Sequence, residues 1–442
     1  MKDYRAIADA LAADIAAGRL APGSRLPPQR QFADQQGIAA STASRVYAEL
    51  ARRGLITGEV GRGSYVRSAL ATPPLALSEP TFAPIDLEMN IPLLPQANTE
   101  LAAALASVAQ AEALQHALRP IGAAATPQAR QIAAEFLARG RWQPDPSTIH
   151  FTGNGRQAIA AALRALATPG ERIGVEALTY PVIKGLARQL GITLVPLEMD
   201  AQGLLPAAVL AAHQSAPLRG LYLQPTLHNP LGCTMDAARR QAMADALEQT
   251  DLIAIEDAIY AFLADEPPLA ALAPERVIHV DSFSKRIAPG MTLGYAVVPP
   301  ACAARFTQAV RANGTAAAGL PLALGLQLMA DGAANRIAAF KRDDATARQQ
   351  IARGALAGLD LRGDPRAYHL WLTLPDHWRA ERFVAAAARQ GIAIAPGSAF
   401  AVAPGHAPNA IRIALSAPPV DQLRYGLCQL YRLIVDGDMD FD

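Results

Sequence analysis

The apolar positions near the N-terminus recur every three to four residues and then change rhythm. Tyr4, Ile7, Ala8, Leu11 and Ile15 fall on one side of a helix that Gly18 ends. Pro22-Gly23-Ser24-Arg25-Leu26-Pro27-Pro28 is a turn, and Pro28 suits the opening of a helix over Gln29–Gln36. Gly37 breaks that helix. Ser41 is placed to cap a further one from Thr42 to about Arg53, which Gly54 closes. Two short strand-like runs follow, Leu55-Ile56-Thr57 and Ser64-Tyr65-Val66, on either side of the tip Glu59-Val60-Gly61-Arg62-Gly63. Three helices and a glycine-tipped hairpin predict a mostly α winged helix-turn-helix over residues 1–68.

From 69 to 95 the pattern lapses. Pro73-Pro74, Pro80, Pro84, Pro92 and Pro95 disfavour helix and predict an extended, semi-stiff connector. Beyond it, short β-branched runs alternate with alanine-rich helical stretches, predicting a largely parallel, three-layer α/β domain. That large domain is expected over about 120–310. From about 325 longer helices and returning strands such as Tyr368-His369-Leu370-Trp371-Leu372 predict a smaller domain running to 442. Residues 96–442 thus form one body.

Several of the strands carry chemistry at their ends. Leu252-Ile253-Ala254-Ile255-Glu256-Asp257 reads as a buried strand with Asp257 at its C-terminal edge, where α/β sheets place ligands. Arg219–Pro225 leads into His228-Asn229-Pro230-Leu231-Gly232, and Arg276–Asp281 leads into Ser282-Phe283-Ser284-Lys285. Lys285 is one of four lysines, whereas arginine supplies the other 36 of the 40 basic residues. A chain that writes its cations as Arg has little reason to keep a Lys for surface charge. Lysine alone of the two loses a proton readily and attacks a carbonyl to form a Schiff base. Asn229, Asp257 and Lys285, spaced 28 residues apart, suit pyridoxal 5'-phosphate (PLP): the lysine holds the aldehyde and the carboxylate keeps the ring nitrogen protonated. Asn229 and the Tyr260 hydroxyl are candidates to hydrogen-bond the ring oxygen.

His-Asn-Pro-Leu-Gly, Asp-x-x-Tyr and Ser-Phe-Ser-Lys, in this order and spacing, make residues from about 85 to 435 resemble a fold-type-I aminotransferase domain. The resemblance implies Tyr180 over the cofactor ring, and backbone N–H groups of Gly155-Arg156-Gln157 on the phosphate. It implies hydroxyl donors from Ser282 and Ser284, and Arg412 on the α-carboxylate of an amino compound. One position departs from the family. Where the family usually carries a phosphate-binding Arg after Pro289-Gly290, this chain has Thr292. That removes a charge-assisted contact of about 1.5–3 kcal/mol; Arg286 and Arg156 are the candidates to replace it.

Pro-Gly-Ser-Arg-Leu-Pro-Pro-Gln-Arg followed by Ala-Ser-Thr-Ala-Ser-Arg-Val-Tyr-Ala-Glu-Leu is similar to the DNA-binding domain of the GntR family. The resemblance implies that Arg30, Ser41, Thr42, Ser44 and Arg45 face phosphates and base edges of operator DNA. The wing tip at Arg62-Gly63 would approach the minor groove. Ala40 stands where the family often has Arg, so base readout would rest more on Arg45 and the wing. Charge agrees: residues 1–67 hold ten Lys/Arg against six Asp/Glu, or +4, while the whole chain is +1. The two parts together resemble the MocR subfamily of bacterial transcription regulators. This implies a body that senses PLP, an amino compound or both, and a head-to-tail homodimer. A working aminotransferase with a DNA-binding appendage is the competing reading, and turnover discriminates the two.

The remaining composition narrows the setting. No run reaches the ~20 apolar residues that span a bilayer, and the polar start Met-Lys-Asp-Tyr-Arg predicts part of the first helix rather than a secretory leader. Cys233, Cys302 and Cys428 are isolated, without metal spacing, which predicts a reducing cytoplasm and no metal site.

Overall fold

The computed structural model describes residues 4–16, 19–20, 24–52, 55–59, 63–66, 83–119, 121–403 and 407–437. Gly18, Pro22-Gly23, Gly54, the wing residues Val60, Gly61 and Arg62, and the connector up to residue 82 lie outside them. Two compact units are resolved, one built on the N-terminal segment and one on the body.

In the first unit, helices Tyr4–Ala16, Gln29–Gln36 and Ala40–Arg52 precede strands Ile56–Glu59 and Gly63–Val66. The strands pair antiparallel with Ile56 opposite Val66. Ala8, Leu26, Phe32, Val46, Tyr47, Leu50 and Val66 form the core. Phe32 and Tyr47 meet edge to face at 5.4 Å, and the Tyr47 hydroxyl donates to the Pro27 carbonyl at 2.5 Å. Gly37, at φ 62°, takes the left-handed turn between the second and third helices, where a side chain would be strained. One expectation is corrected. Ser41 does not cap the third helix, which begins at Ala40. The Ala39 carbonyl takes the N–H groups of Thr42 and Ala43 at 2.9 and 3.1 Å, so the backbone supplies the start and Ser41 sits exposed in the first turn.

The body is centred on a seven-stranded sheet in the order Ile149–Thr152, Gly294–Val297, Val277–Ser282, Ala254–Asp257, Gly220–Leu223, Arg172–Glu176, Thr193–Leu197. Only Gly294–Val297 runs antiparallel to its neighbours. The strands at 149, 220, 254 and 277 are buried at every residue, so the polar side chains they carry, such as Glu256, Asp257 and His279, are buried with them. A four-stranded antiparallel sheet, Leu361–Arg362, His369–Thr373, Ala410–Ala414 and Ala395–Pro396, forms the smaller layer. The 23-residue helix Ala333–Ala355 sends Ala352 into that layer's core.

The connector is shorter than its prolines predict. Ile85–Asp86 pairs in parallel with Ile392–Ala393, and Leu87 is fully buried with the smaller sheet. Pro95 then opens the helix Pro95–Val108 at its first position, where a missing N–H is harmless. Proline here is compatible with an edge strand and a helix start, so residues 83–95 belong to the body. Among the described residues no helix is long and apolar enough to cross a membrane, and no cluster of His, Cys, Asp and Glu is placed to hold a metal ion.

Candidate functional site

Three adjacent strands deliver the central groups. Asp257 ends Ala254–Asp257, Lys285 lies in the four-residue helix Phe283–Arg286 after Val277–Ser282, and Asn229 lies in the loop after Gly220–Leu223. Asp257 is buried and accepts from the Tyr222 hydroxyl at 2.6 Å, Gln224 Nε2 at 2.9 Å and the Ile259 N–H at 3.1 Å. Burial pushes its carboxyl up to about 6, against those hydrogen bonds, which favour the charged form. Its neighbour Glu256 faces the other way, onto the N–H groups of Leu269 and Ala270. Strand alternation separates the two carboxylates, and only Asp257 joins the site.

Lys285 Nζ donates to the main-chain carbonyl of Asn90. Burial first, and then Arg412 and Arg156, lower its amine to about 8. A lysine so placed is part neutral near neutral pH, as a nucleophilic amine must be. The Asn90 side chain donates to the Tyr260 hydroxyl at 3.1 Å, and burial pushes that hydroxyl up to about 12, so it remains a donor. Tyr180 accepts from Arg156 Nε at 3.2 Å and lies in the fields of Arg156, Asp257 and Arg412. Arg412 donates to the Glu88 carbonyl at 2.5 Å, sits 5.3 Å from the Phe400 ring, and has a buried Nε with no partner among the described residues.

The start of the helix Gly155–Leu166 offers its N–H groups as a cradle suited to an anion. Asn154 caps it by accepting the Gln157 N–H at 3.0 Å. A Cβ on Gly155 would lie 3.2 Å from Ser282 Oγ, and one on Gly294 would strike the Asn154 carbonyl carbon at 2.4 Å. Glycine lets the strand, the helix end and the serine converge. Ser282 Oγ accepts the Ser284 N–H at 3.4 Å, so both serines border the same end. Thr292 is exposed. Arg286 does not replace the missing arginine: it is buried, 2.8 Å from Asp281 Oδ2, which also receives the Tyr295 hydroxyl at 3.0 Å. Its guanidinium rests 4.9 Å from the Phe136 ring. Arg156 remains as the cation beside the cradle.

The donor set fits PLP. The Lys285 amine, the Tyr260 hydroxyl and the buried Arg412 Nε, which has no partner among the described residues, are donors there. Lys285, Asp257 and the helix start at Gly155 match the aldehyde, the ring nitrogen and the phosphate in chemistry. Behind Asn229, burial opposes charge on His228, but Glu176 at 3.2 Å and Cys233 raise it to about 10, which anchors the loop. Sequence reasoning missed Asn90, Tyr222 and Gln224. On the N-terminal unit Arg30, Ser41, Ser44 and Arg45 are exposed and Thr42 is half-buried. Ser41, Ser44 and Arg45 share a face opposite the buried Ala43, Val46, Tyr47 and Leu50. Gly63 begins the second wing strand, and Arg62 lies outside the described residues.

Comparison with known proteins decides the family. The aminotransferase class I and II family matches residues 83–430, and the gntR family of bacterial regulatory proteins matches residues 3–66. The HTH-type transcriptional regulator YdeF of Bacillus subtilis (strain 168) is 31% identical over 437 residues, covering 98% of this chain and 94% of the relative. The chain belongs to the MocR subfamily of GntR-type transcription regulators. A second relative of this MocR-type chain is the vitamin B6 salvage pathway transcriptional repressor PtsJ of Salmonella typhimurium (strain LT2), 26% identical with 94% of each chain covered. The fold of the body is that of the Pyrococcus horikoshii kynurenine aminotransferase. The two superpose with TM-score 0.74 at 22% identity over 80% of this chain and 92% of the other.

Proposed function

We propose that this MocR-type regulator holds PLP on Lys285 and couples occupancy of that site to operator binding. PLP supplies an aldehyde that a lysine captures and a ring that draws electrons. Asp257 holds the ring-nitrogen proton, Asn229 and Tyr260 bond the ring oxygen, and Tyr180 covers the ring. The Gly155-Arg156-Gln157 helix start, Ser282 and Ser284 take the phosphate, while Arg412 takes the carboxylate of an amino-acid effector. The head reads double-stranded operator DNA through Arg30, Ser41, Thr42, Ser44 and Arg45, with Arg62-Gly63 at the wing. The working form is a cytoplasmic homodimer, arranged head to tail, because one +4 winged helix offers few phosphate contacts. The domain plan is a head over 1–68, a connector over 69–82 and a body beyond.

The observation that carries this reading is Asp257, a buried carboxylate held by three donors at the strand edge beside Lys285. PtsJ is by name a repressor in vitamin B6 salvage, which supports PLP itself as a signal for this chain. The Nε of Arg412, without a partner among the described residues, supports capture of a carboxylate, which a sensor and an aminotransferase would share. The test is borohydride fixation of added PLP followed by peptide mapping. The label is expected on Lys285 and lost in Lys285→Ala; a label on Lys184 or Lys341, or none, refutes the assignment. Steady transfer to a keto acid with no effect of PLP on operator binding would favour the enzyme.

A further inference from the structure

Lys341 is a second amine at this site, on the opposite side of the Lys285 backbone. It lies on the helix Ala333–Ala355 and is fully buried. Its Nζ donates to the carbonyls of Lys285 and Ile287 at 2.8 and 2.7 Å. The helix Phe283–Arg286 has only four residues, so most of its carbonyls lack an intrahelical partner and need donors from elsewhere. Lys341 supplies one to the Lys285 carbonyl and another to the Ile287 carbonyl just past the helix. Lys285 is thereby gripped twice: its side chain ends on the Asn90 carbonyl and its own carbonyl ends on Lys341.

We propose that Lys341 is a positioning residue for Lys285, holding the main chain from which the cofactor-bearing amine projects. This rests on the reading of Lys285 given above.

The surroundings of Lys341 support a neutral amine. Lys285 and Arg286 face it from the short helix, and Asp344 is the carboxylate on its own helix. Asp344 is engaged by Arg348 at 2.8 Å and by the Tyr368 hydroxyl at 2.9 Å. The Tyr368 hydroxyl, just before the strand His369–Thr373, lies 3.0 Å from the Lys341 carbonyl as well and shares its one proton between the two acceptors. Burial first, then Lys285 and Arg286, lower the Lys341 amine to about 7. A neutral amine has two N–H donors, and two carbonyls use both; an ammonium would bury a third N–H without an acceptor. Arginine offers no such neutral form, which accounts for a lysine in an arginine-rich chain.

The experiment compares full-length wild type, Lys341→Met and Lys341→Gln, each loaded with PLP. Methionine fills the space without donors. Glutamine keeps two N–H donors and cannot titrate. Three quantities are read: the PLP dissociation constant, borohydride fixation on Lys285, and the pH titration of the visible band of bound PLP. Lys341→Met should weaken PLP binding about tenfold, as expected for the loss of positioning hydrogen bonds. Lys341→Gln should bind and fix PLP close to wild type. As pH falls through about 7 Lys341 takes up a proton beside the Lys285 nitrogen, and two interacting groups titrate as a pair, so the wild-type band should follow a broadened curve. In both variants the curve should sharpen and its low-pH limb move up by about one unit, because the charge that Lys341 gains below about pH 7 can no longer form. A purely structural role would move stability and leave that curve unchanged. If Lys341→Met does not fold, Lys341→Gln still tests the claim through its single-group titration with retained fixation. Variants identical to wild type, or Gln as damaging as Met, overturn the inference alone. Absence of a Lys285 label in wild type overturns the cofactor reading with it.

Discussion

Replacing Asp257 by Asn keeps its shape and removes its charge, and in PLP-free protein two effects then oppose one another. The shift of the carboxyl from 3.8 to about 6 is about two units, or roughly 3 kcal/mol against the buried charge at neutral pH. The amide relieves that penalty. Against this, Tyr222, Gln224 and Ile259 all aim donors at the carboxylate, and an amide has one oxygen where the carboxylate has two. One N–H is left facing an N–H, which costs about 1–3 kcal/mol. Apo Asp257→Asn should therefore melt close to wild type near neutral pH. The folded pKa of Asp257 lies above its unfolded value, so the folded state keeps the proton through the window from 3.8 to about 6. This contribution to stability is present below that window and lost as pH rises through it, and the variant should lack the loss. With PLP the balance changes, because the variant forfeits a charge-assisted bond to the ring nitrogen of about 1.5–3 kcal/mol. PLP affinity should fall about 10–150-fold. Urea melts of apo and PLP-loaded protein across that pH window, with PLP titrations, measure all three effects. Wild-type PLP affinity in Asp257→Asn would refute the placement of the ring nitrogen on this carboxylate.

Arg45→Ala should weaken operator binding by about 1–3 kcal/mol if the side chain reaches a base edge. If it touches phosphate alone, specific and random DNA should weaken alike in a gel-shift titration; unchanged affinity excludes both roles. For the coupling, a typical allosteric term of about 1–3 kcal/mol changes operator affinity about 5–150-fold between apo and PLP-loaded protein. By reciprocity operator DNA must change PLP affinity by the same factor. Identical operator curves for apo and loaded protein at one salt concentration would leave the body without a regulatory role.

Much of this architecture is legible in the sequence because its signals are local. The helix over Gln29–Gln36 follows from Pro28 and Gly37, and the strand before Asp257 from its apolar run. What escaped depends on long-range pairing. Asn90 holds both Lys285 and Tyr260, yet it lies in a proline-dotted stretch that reads as a connector; only the pairing of Ile85 with Ile392 draws it into the body. Tyr222 and Gln224 carried a usable signal. They stand two apart, hence on one face of a strand, next to the strand bearing Asp257, with Tyr222 in register with Ile255. A buried carboxylate calls for donors from its neighbours. The identity of those neighbours requires the order of strands in the sheet, which the chain order does not state.

Lysine scarcity was informative for a broader reason than the choice of Lys285. The three lysines at 184, 285 and 341 each donate to a main-chain carbonyl: Lys184 to Ala399, Lys285 to Asn90, Lys341 to Lys285 and Ile287. Burial lowers all three amines, to about 8, 8 and 7 respectively. A guanidinium cannot shed its charge on burial, whereas an amine can, and a neutral amine is satisfied by two carbonyls. In a chain that meets its surface charge with arginine, each of these three lysines therefore marks a place where a cation can become neutral. That condition selects Lys285 together with the two amines that share its chemistry. Only the strand edges carrying Asn229 and Asp257 distinguish the lysine suited to a cofactor from those that grip the backbone.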